Sequence, residues 1–196
     1  MTEMGVRDYF AAMPMLTTAR LVLRPGQARD AESLFRCTGD PEVARYVLWT
    51  PHRSVAECRS HIRYLNRKAR GGEPSSWVIA LRDTGRAIGT IGFTSYADET
   101  RTAEVGYSIA RDQWNRGIAT EALSALLSLC FERMKLHRVE ALHDVENPAS
   151  GHVMQHCGMR YEGTLRQKVF NKGQWRDVCL WAMLDTDYRP SASIRR

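Results

Sequence analysis

Ala103 to Leu123 reads AEVGYSIARDQWNRGIATEAL: a strand, a tight turn and the start of a helix. Its first half alternates. Ala103, Val105, Tyr107 and Ile109 fall on one face, and Glu104, Gly106, Ser108 and Ala110 on the other. A carboxylate and a glycine thus share a face with small residues, as the floor of a groove requires. The second half, Trp114 to Thr120, runs straight into a helix, and Gly117 and Ala119 would let a ligand approach the backbone. The first amides of a helix have no intrahelical partner and carry the positive end of its dipole, so this junction suits a phosphate.

Toward the N-terminus, Ala87 to Phe93 and Trp77 to Leu81 read as a hairpin turning at Asp83 to Arg86. Ser54 and Glu57 fit a capping box, and the helix they open runs to Arg70 before Gly71-Gly72. Asp40-Pro41-Glu42 starts a short helical turn, Asp30 to Cys37 is helical in pattern, and Arg20 to Pro25 is a first strand. Residues 1–15 read as a loose lead-in. Toward the C-terminus, Gly117 to Met134 carries a wide apolar stripe, as a helix packed on a sheet does. Val139 to His143 is a strand, and Asn147 to Cys157 a helix closed by Gly158. Arg160 to Gly163 is short and extended, Thr164 to Gln174 a basic loop or ribbon, and Arg176 to Met183 a last strand. The order predicts an α/β fold with a mixed central sheet: one domain over residues 16–189 and a disordered tail over 190–196.

The chain of 196 residues is long enough for one domain with its own core. Its 28 Lys and Arg against 22 Asp and Glu give a net charge of +6, which favours an anionic partner. The charge is spread rather than blocked, which weighs against nucleic acid and membrane surfaces. The five cysteines are scattered without a C-x-x-C pair and read as reduced thiols of a cytoplasmic protein. No apolar run approaches the ~18 residues that span a bilayer.

Six pieces in order carry a resemblance: Thr18 to Arg24, Asp40 to Val43, Ala103 to Tyr107, Trp114 to Leu123, Asn147 to Ser150, and Tyr161 to Gly163. On these the chain resembles the GNAT superfamily of N-acetyltransferases nearly from end to end. Within it the chain is similar to the branch that acetylates alanine and serine N-termini of ribosomal proteins. The resemblance implies a GNAT-like mixed, mostly antiparallel sheet flanked by helices, with acetyl-coenzyme A as cosubstrate and no metal. It puts the pyrophosphate on the amides of Arg116, Gly117, Ile118, Ala119 and Thr120. The pantetheine arm would lie along the strand near Ile109, held from the other side by Asn147. Glu42, Trp49, His52, Arg53 and Arg166 would line the acceptor side. Two departures stand out. Trp114 occupies the place where the phosphate motif usually begins with Gln or Arg, and Met154 stands seven residues after Asn147, where many members have a tyrosine that protonates the leaving thiolate. Ser150 is the nearest substitute. The partners implied are an amine acceptor, foremost a protein N-terminus, and no membrane; a homodimer is one assembly the resemblance allows.

An amine nucleophile must lose a proton, and Glu104 on the groove face is the candidate acceptor. A free strand amide near Ile109 would meet the oxyanion. From the residues alone, Glu104 also reads as a solvated strand carboxylate, Ser150 as a cap or spacer, Asn147 as a helix cap, and Glu121 as a complement to the helix dipole. His152 and His156 have the four-residue spacing of a metal pair but lack the acidic residue of the zinc-protease pattern. Two other functions compete. An acetyltransferase of a small amine, such as a polyamine or aminoglycoside, would want an acidic pocket, whereas Arg45 to Arg53 and Arg166 to Lys172 are basic. A non-catalytic RNA or ribosome-binding module would use a stripe such as Arg166, Lys168, Phe170, Lys172, Trp175 and Arg176.

Overall fold

The computed structural model describes residues 4–190. Eight strands form one sheet: β1 (Leu16–Thr17), β2 (Leu21–Arg24), β3 (Ser76–Leu81), β4 (Ala87–Ala97), β5 (Thr102–Ile109), β6 (Arg138–Asp144), β7 (Arg160–Asn171) and β8 (Gln174–Leu184). Their order is β1-β2-β3-β4-β5-β6-β8-β7. Every neighbouring pair is antiparallel except β5 and β6, which run parallel. The helices are α1 (Val6–Ala12), α2 (Ala31–Thr38), α3 (Pro41–Ala44), α4 (Val55–Arg70), α5 (Ile118–Ser128) and α6 (Pro148–His156). This is the mixed sheet that the element order predicts and the mostly antiparallel, helix-flanked form that the resemblance implies.

The alternation of β5 sorts the two faces. Ala103, Val105 and Ile109 join the core under α5, where Leu123 and Leu126 are fully buried. Burying each such side chain stabilises the fold by about 1.5–3 kcal/mol. On the opposite face, α2 and α4 pack Leu34, Cys37, Cys58 and Ile62 against Val78 and Ala87. Ser108 faces that side, with the Cys37 thiol 3.9 Å from its hydroxyl. Cap chemistry sets the helix starts: Ser54 accepts from the Glu57 amide (3.2 Å), and Asp40 from the Glu42 amide (2.9 Å) ahead of Pro41.

Three expectations change. Residues 1–15 are not a loose lead-in throughout: α1 brings Phe10 into the core, its ring 5.0 Å from that of Phe93 and 5.5 Å from that of Tyr96. A helix of seven residues is too short to display a period, so only its tertiary contact reveals it. The long helix ends at Ser128 and continues as one π turn, Leu129–Arg133, which keeps Leu129, Cys130 and Phe131 all inside. Of the loop or ribbon expected over Thr164 to Gln174, the structure has the ribbon, continuous with the strands on either side: β7 and β8 form one long hairpin turning at Lys172 and Gly173, both at positive φ. Register shifts between Tyr161 and Gly163 and between Leu165 and Val169 hide its period. Of the expected tail, Pro190 alone lies within the described residues. Among those residues no helix is long and apolar enough to cross a membrane.

Candidate active site

The β5–β6 ladder joins Thr102–Val105 to Arg138–Ala141 and stops there. Beyond it, Gly106–Ile109 stay paired with β4, and Leu142–Asp144 with β8. The sheet therefore opens into a slot. Ala110 donates to the Ile88 carbonyl (2.7 Å), so the alternation of the antiparallel ladder turns the Tyr107 and Ile109 amides away from β4 and into the slot. The Ile109 carbonyl accepts from the Trp114 indole nitrogen at 2.8 Å. Trp114 thus ties the following turn to the end of β5.

That turn needs left-handed backbone at Asn115 (φ 58°) and Gly117 (φ 71°), the second of which glycine adopts at little cost. It delivers the amides of Ile118, Ala119 and Thr120 as the start of α5, whose N-cap position, Gly117, supplies no side-chain cap. Arg20 braces the turn, its guanidinium donating to the Arg116 carbonyl at 2.8 Å. Glu121 does more than complement the dipole. It accepts from the Thr18 hydroxyl (2.6 Å), the Arg20 amide (2.8 Å) and the Arg20 Nε (2.6 Å). Burial works to raise the Glu121 carboxyl, but these three donors outweigh it and hold the group below its ordinary 4.5. A cleft of about 550 Å³ opens alongside, with Arg20, Arg82, Gln113 and Arg116 among its walls.

Glu104 is half-buried on the α2–α4 face of the sheet, accepting from the Thr94 hydroxyl at 2.6 Å. Ser150 stands in the first turn of α6, on the other face, and its hydroxyl lies 2.9 Å from the Tyr107 hydroxyl. The two residues lie on opposite faces of the sheet, Glu104 within the paired β5–β6 ladder opposite Glu140. Asn147 precedes α6 and makes no side-chain capping bond. Met154 is 1% exposed, a core residue with no proton to give. His152 and His156 are exposed, and the His156 Nδ1 lies 2.6 Å from the His152 carbonyl one turn back.

The acceptor-side residues fall into two groups. Glu42 is exposed on α3, 3.9 Å from Arg45. Trp49 is half-buried against the α2–α4 cluster. His52 donates its amide to the Thr38 carbonyl (2.8 Å), and its ring lies 5.3 Å from that of His61. Burial holds both imidazoles below their ordinary 6.5; Glu57 opposes the shift at His52, and His52 adds to it at His61. Arg53 is exposed and gives its amide to Glu57 (2.7 Å). Arg166 is exposed on β7. The hairpin joins these groups: Lys172 donates to the Ala44 and Val47 carbonyls (both 2.7 Å), and Asn171 to Val47 (3.2 Å). The RNA-binding stripe loses two cations to internal bonds, since Lys172 is so engaged and Arg176 pairs with Asp144 (2.7 Å) and Glu146 (2.6 Å).

Sequence reasoning gave no role to Arg20, Thr18, Trp114 or Tyr107. Thr18 and Arg20 stood inside a matched motif, and Tyr107 on the quoted strand, yet their partners lie up to 103 residues away.

An acetyltransferase (GNAT) domain model matches residues 20–160. The uncharacterized N-acetyltransferase p20 of Bacillus licheniformis is 34% identical over 176 residues, covering 90% of this chain and 99% of that protein. The ribosomal protein uS5-alanine N-acetyltransferase of Escherichia coli is 27% identical, over 89% and 93%. The structure of Mycobacterium smegmatis RimJ in complex with CoA-disulfide superposes with a TM-score of 0.79 at 31% identity, covering 92% of this chain and 90% of that one. Slot, helix start and these likenesses agree: the chain belongs to the GNAT acetyltransferase family and is an acetyl-CoA-dependent acyltransferase.

Proposed function

We propose that this chain acetylates the α-amine of a protein, of the kind carried by ribosomal proteins. The observation that carries the reading is the acceptor side itself. Leu48 (70% exposed), Phe170 (59%) and Trp175 (61%) stand around the junction of hairpin and loop, the last two rings 5.2 Å apart. Exposed aromatics on a hairpin that also carries Arg166 and Lys168 suit a polypeptide surface, and a small polyamine would want carboxylates there instead.

In this reading the Ile118–Thr120 amides and the Arg116–Gly117 turn hold the coenzyme pyrophosphate, and Asn147 and the Ile109 strand hold its pantetheine arm. Glu42, Trp49, His52, Arg53 and Arg166 border the acceptor. A protein α-amine has a pKa of about 7.7–8.0, so a neutral fraction exists at pH 7. Its nitrogen attacks the thioester carbonyl, and its proton passes to Glu104, directly or through water. The Ile109 amide receives the oxyanion. The carbonyl re-forms as the C–S bond breaks; Ser150 passes its hydroxyl proton to the departing sulfur and is reprotonated from solvent, to which Glu104 releases the proton it took.

Release of free thiol from acetyl-CoA, measured over a panel of N-terminal peptides, ribosomal proteins, polyamines and aminoglycosides, tests it. Turnover with a protein or peptide α-amine is the expected result. Preferred turnover of a polyamine or aminoglycoside would move the assignment to small amines. No turnover together with salt-sensitive RNA binding would move it to a binding module.

A further inference from the structure

We infer that Tyr107 is a positioning residue for the leaving group: it sets the direction in which the Ser150 hydroxyl points. The inference rests on the Ser150 role proposed above. The Tyr107 hydroxyl is 2.9 Å from both the Ser150 hydroxyl and the Ser150 carbonyl. Its ring packs against the core under α5, and its backbone is pinned opposite Ile91. Burial pushes its phenol up from the ordinary 10, so it stays protonated through the working pH range.

A neutral phenol has one proton and two places to put it. When it donates to the Ser150 carbonyl, the serine hydroxyl can donate back to the phenol oxygen and points away from the slot. When it donates to the Ser150 oxygen, that position is taken and the serine proton must point elsewhere. Negative charge growing on a departing sulfur favours the second arrangement. A hydroxyl that accepts one hydrogen bond is also a better donor of its own. Tyr107 gives up no proton in this scheme. It trades one acceptor for another by rotation about its C–O bond, and the hydrogen bond to sulfur comes from Ser150.

The seat of α6 makes this contact possible. Gly151 lies so close to the His143 ring that a β-carbon there would sit 2.6 Å from Nε2. Glycine at this position lets the helix settle on His143 and brings Ser150 within reach of Tyr107.

A double-mutant cycle with Tyr107→Phe and Ser150→Ala tests the inference. Each single variant is expected to lower kcat about tenfold, with KM for acetyl-CoA within about twofold of wild type. The double variant should lose about tenfold as well, not a hundredfold, because Tyr107 acts through Ser150. Restoring the hydroxyl as Ser150→Thr should recover activity only where Tyr107 is present. A hundredfold loss in the double variant would overturn the inference, as would a Tyr107→Phe enzyme at the wild-type rate beside a slow Ser150→Ala. Wild-type kcat in Ser150→Ala would remove the Ser150 role itself, and the Tyr107 role with it. Calorimetric coenzyme binding and melting temperature, expected unchanged in Tyr107→Phe, separate positioning from a general loss of structure.

Discussion

The Tyr107 hydroxyl meets the Ser150 hydroxyl at 2.9 Å, joining the C-terminal half of β5 to the first turn of α6 across 43 residues of chain. The contact depends on how closely α6 lies on β6. His143 fills the space beneath the helix, held by its Nδ1 2.8 Å from the Asp144 carbonyl, so its ring has little freedom to yield. Gly151→Ala should therefore lift the helix. We expect a loss of about 1–3 kcal/mol, the usual cost of overpacking. This lowers the melting temperature by about 2–4 °C per kcal/mol. Turnover should fall further than stability predicts, because Ser150 moves with the helix. An alanine variant with wild-type kcat would show that the seat is unimportant to the chemistry.

Glu121 ties Thr18 and Arg20 to the start of α5. Glu121→Gln keeps the size of the side chain but loses the charge that three donors converge on. Hydrogen bonds to a charged group are worth about 1.5–3 kcal/mol each, so one to two such losses are expected in denaturant unfolding. The turn that Arg20 braces should loosen too, raising the dissociation constant for coenzyme A in calorimetry. Unchanged affinity would confine Glu121 to a structural role.

The His52–His61 pair makes the acceptor side sensitive to acid. Both imidazoles have folded pKa values below 6.5 because burial penalises their charged forms. The unfolded chain then binds more protons than the folded one as pH falls. The stability they contribute is fully present above about 6.5 and is lost as pH drops through the lowered values. Protection factors for hydrogen exchange in residues 50–62, with intrinsic rates corrected for pH, should fall from pH 7 to 5.5. Replacing both histidines with glutamine should flatten this dependence, and a slope that survives the double replacement would assign it elsewhere.

Phe170 and Trp175 are exposed together at the hairpin tip. Substituting both with serine should raise KM for a whole-protein acceptor about tenfold while leaving KM for a tripeptide acceptor and for acetyl-CoA unchanged. Fluorescence of Trp175 during titration with the protein acceptor gives a second readout. Equal effects on tripeptide and protein would mean that the pair supports the slot rather than the acceptor body.

Glu104→Gln should depress turnover about 10²–10⁴-fold, the range typical of a lost general base, with coenzyme affinity nearly intact. Equal rates for variant and wild type across pH 6–9 would remove Glu104 from proton transfer.

The sequence by itself determined the elements whose causes are local. The two faces of β5 follow from alternation at Ala103 to Ile109. The start of α5 follows from glycine and small residues at Gly117 to Thr120, and the helix starts at Ser54 and Asp40 from caps that bond within three residues. The ordered motifs also identified the family and the donor half of the reaction. Only the tertiary structure decided what depends on distant partners. It turned residues 6–12 into a helix through Phe10 on Phe93, and engaged Lys172 and Arg176 in internal bonds. It gave Glu121 its three donors and brought Tyr107 to Ser150. The physical reason is the same in each case. Periodicity and caps report interactions within one or two turns of the chain, whereas these contacts join residues 32 to 128 positions apart and exist only once the sheet and its helices have assembled.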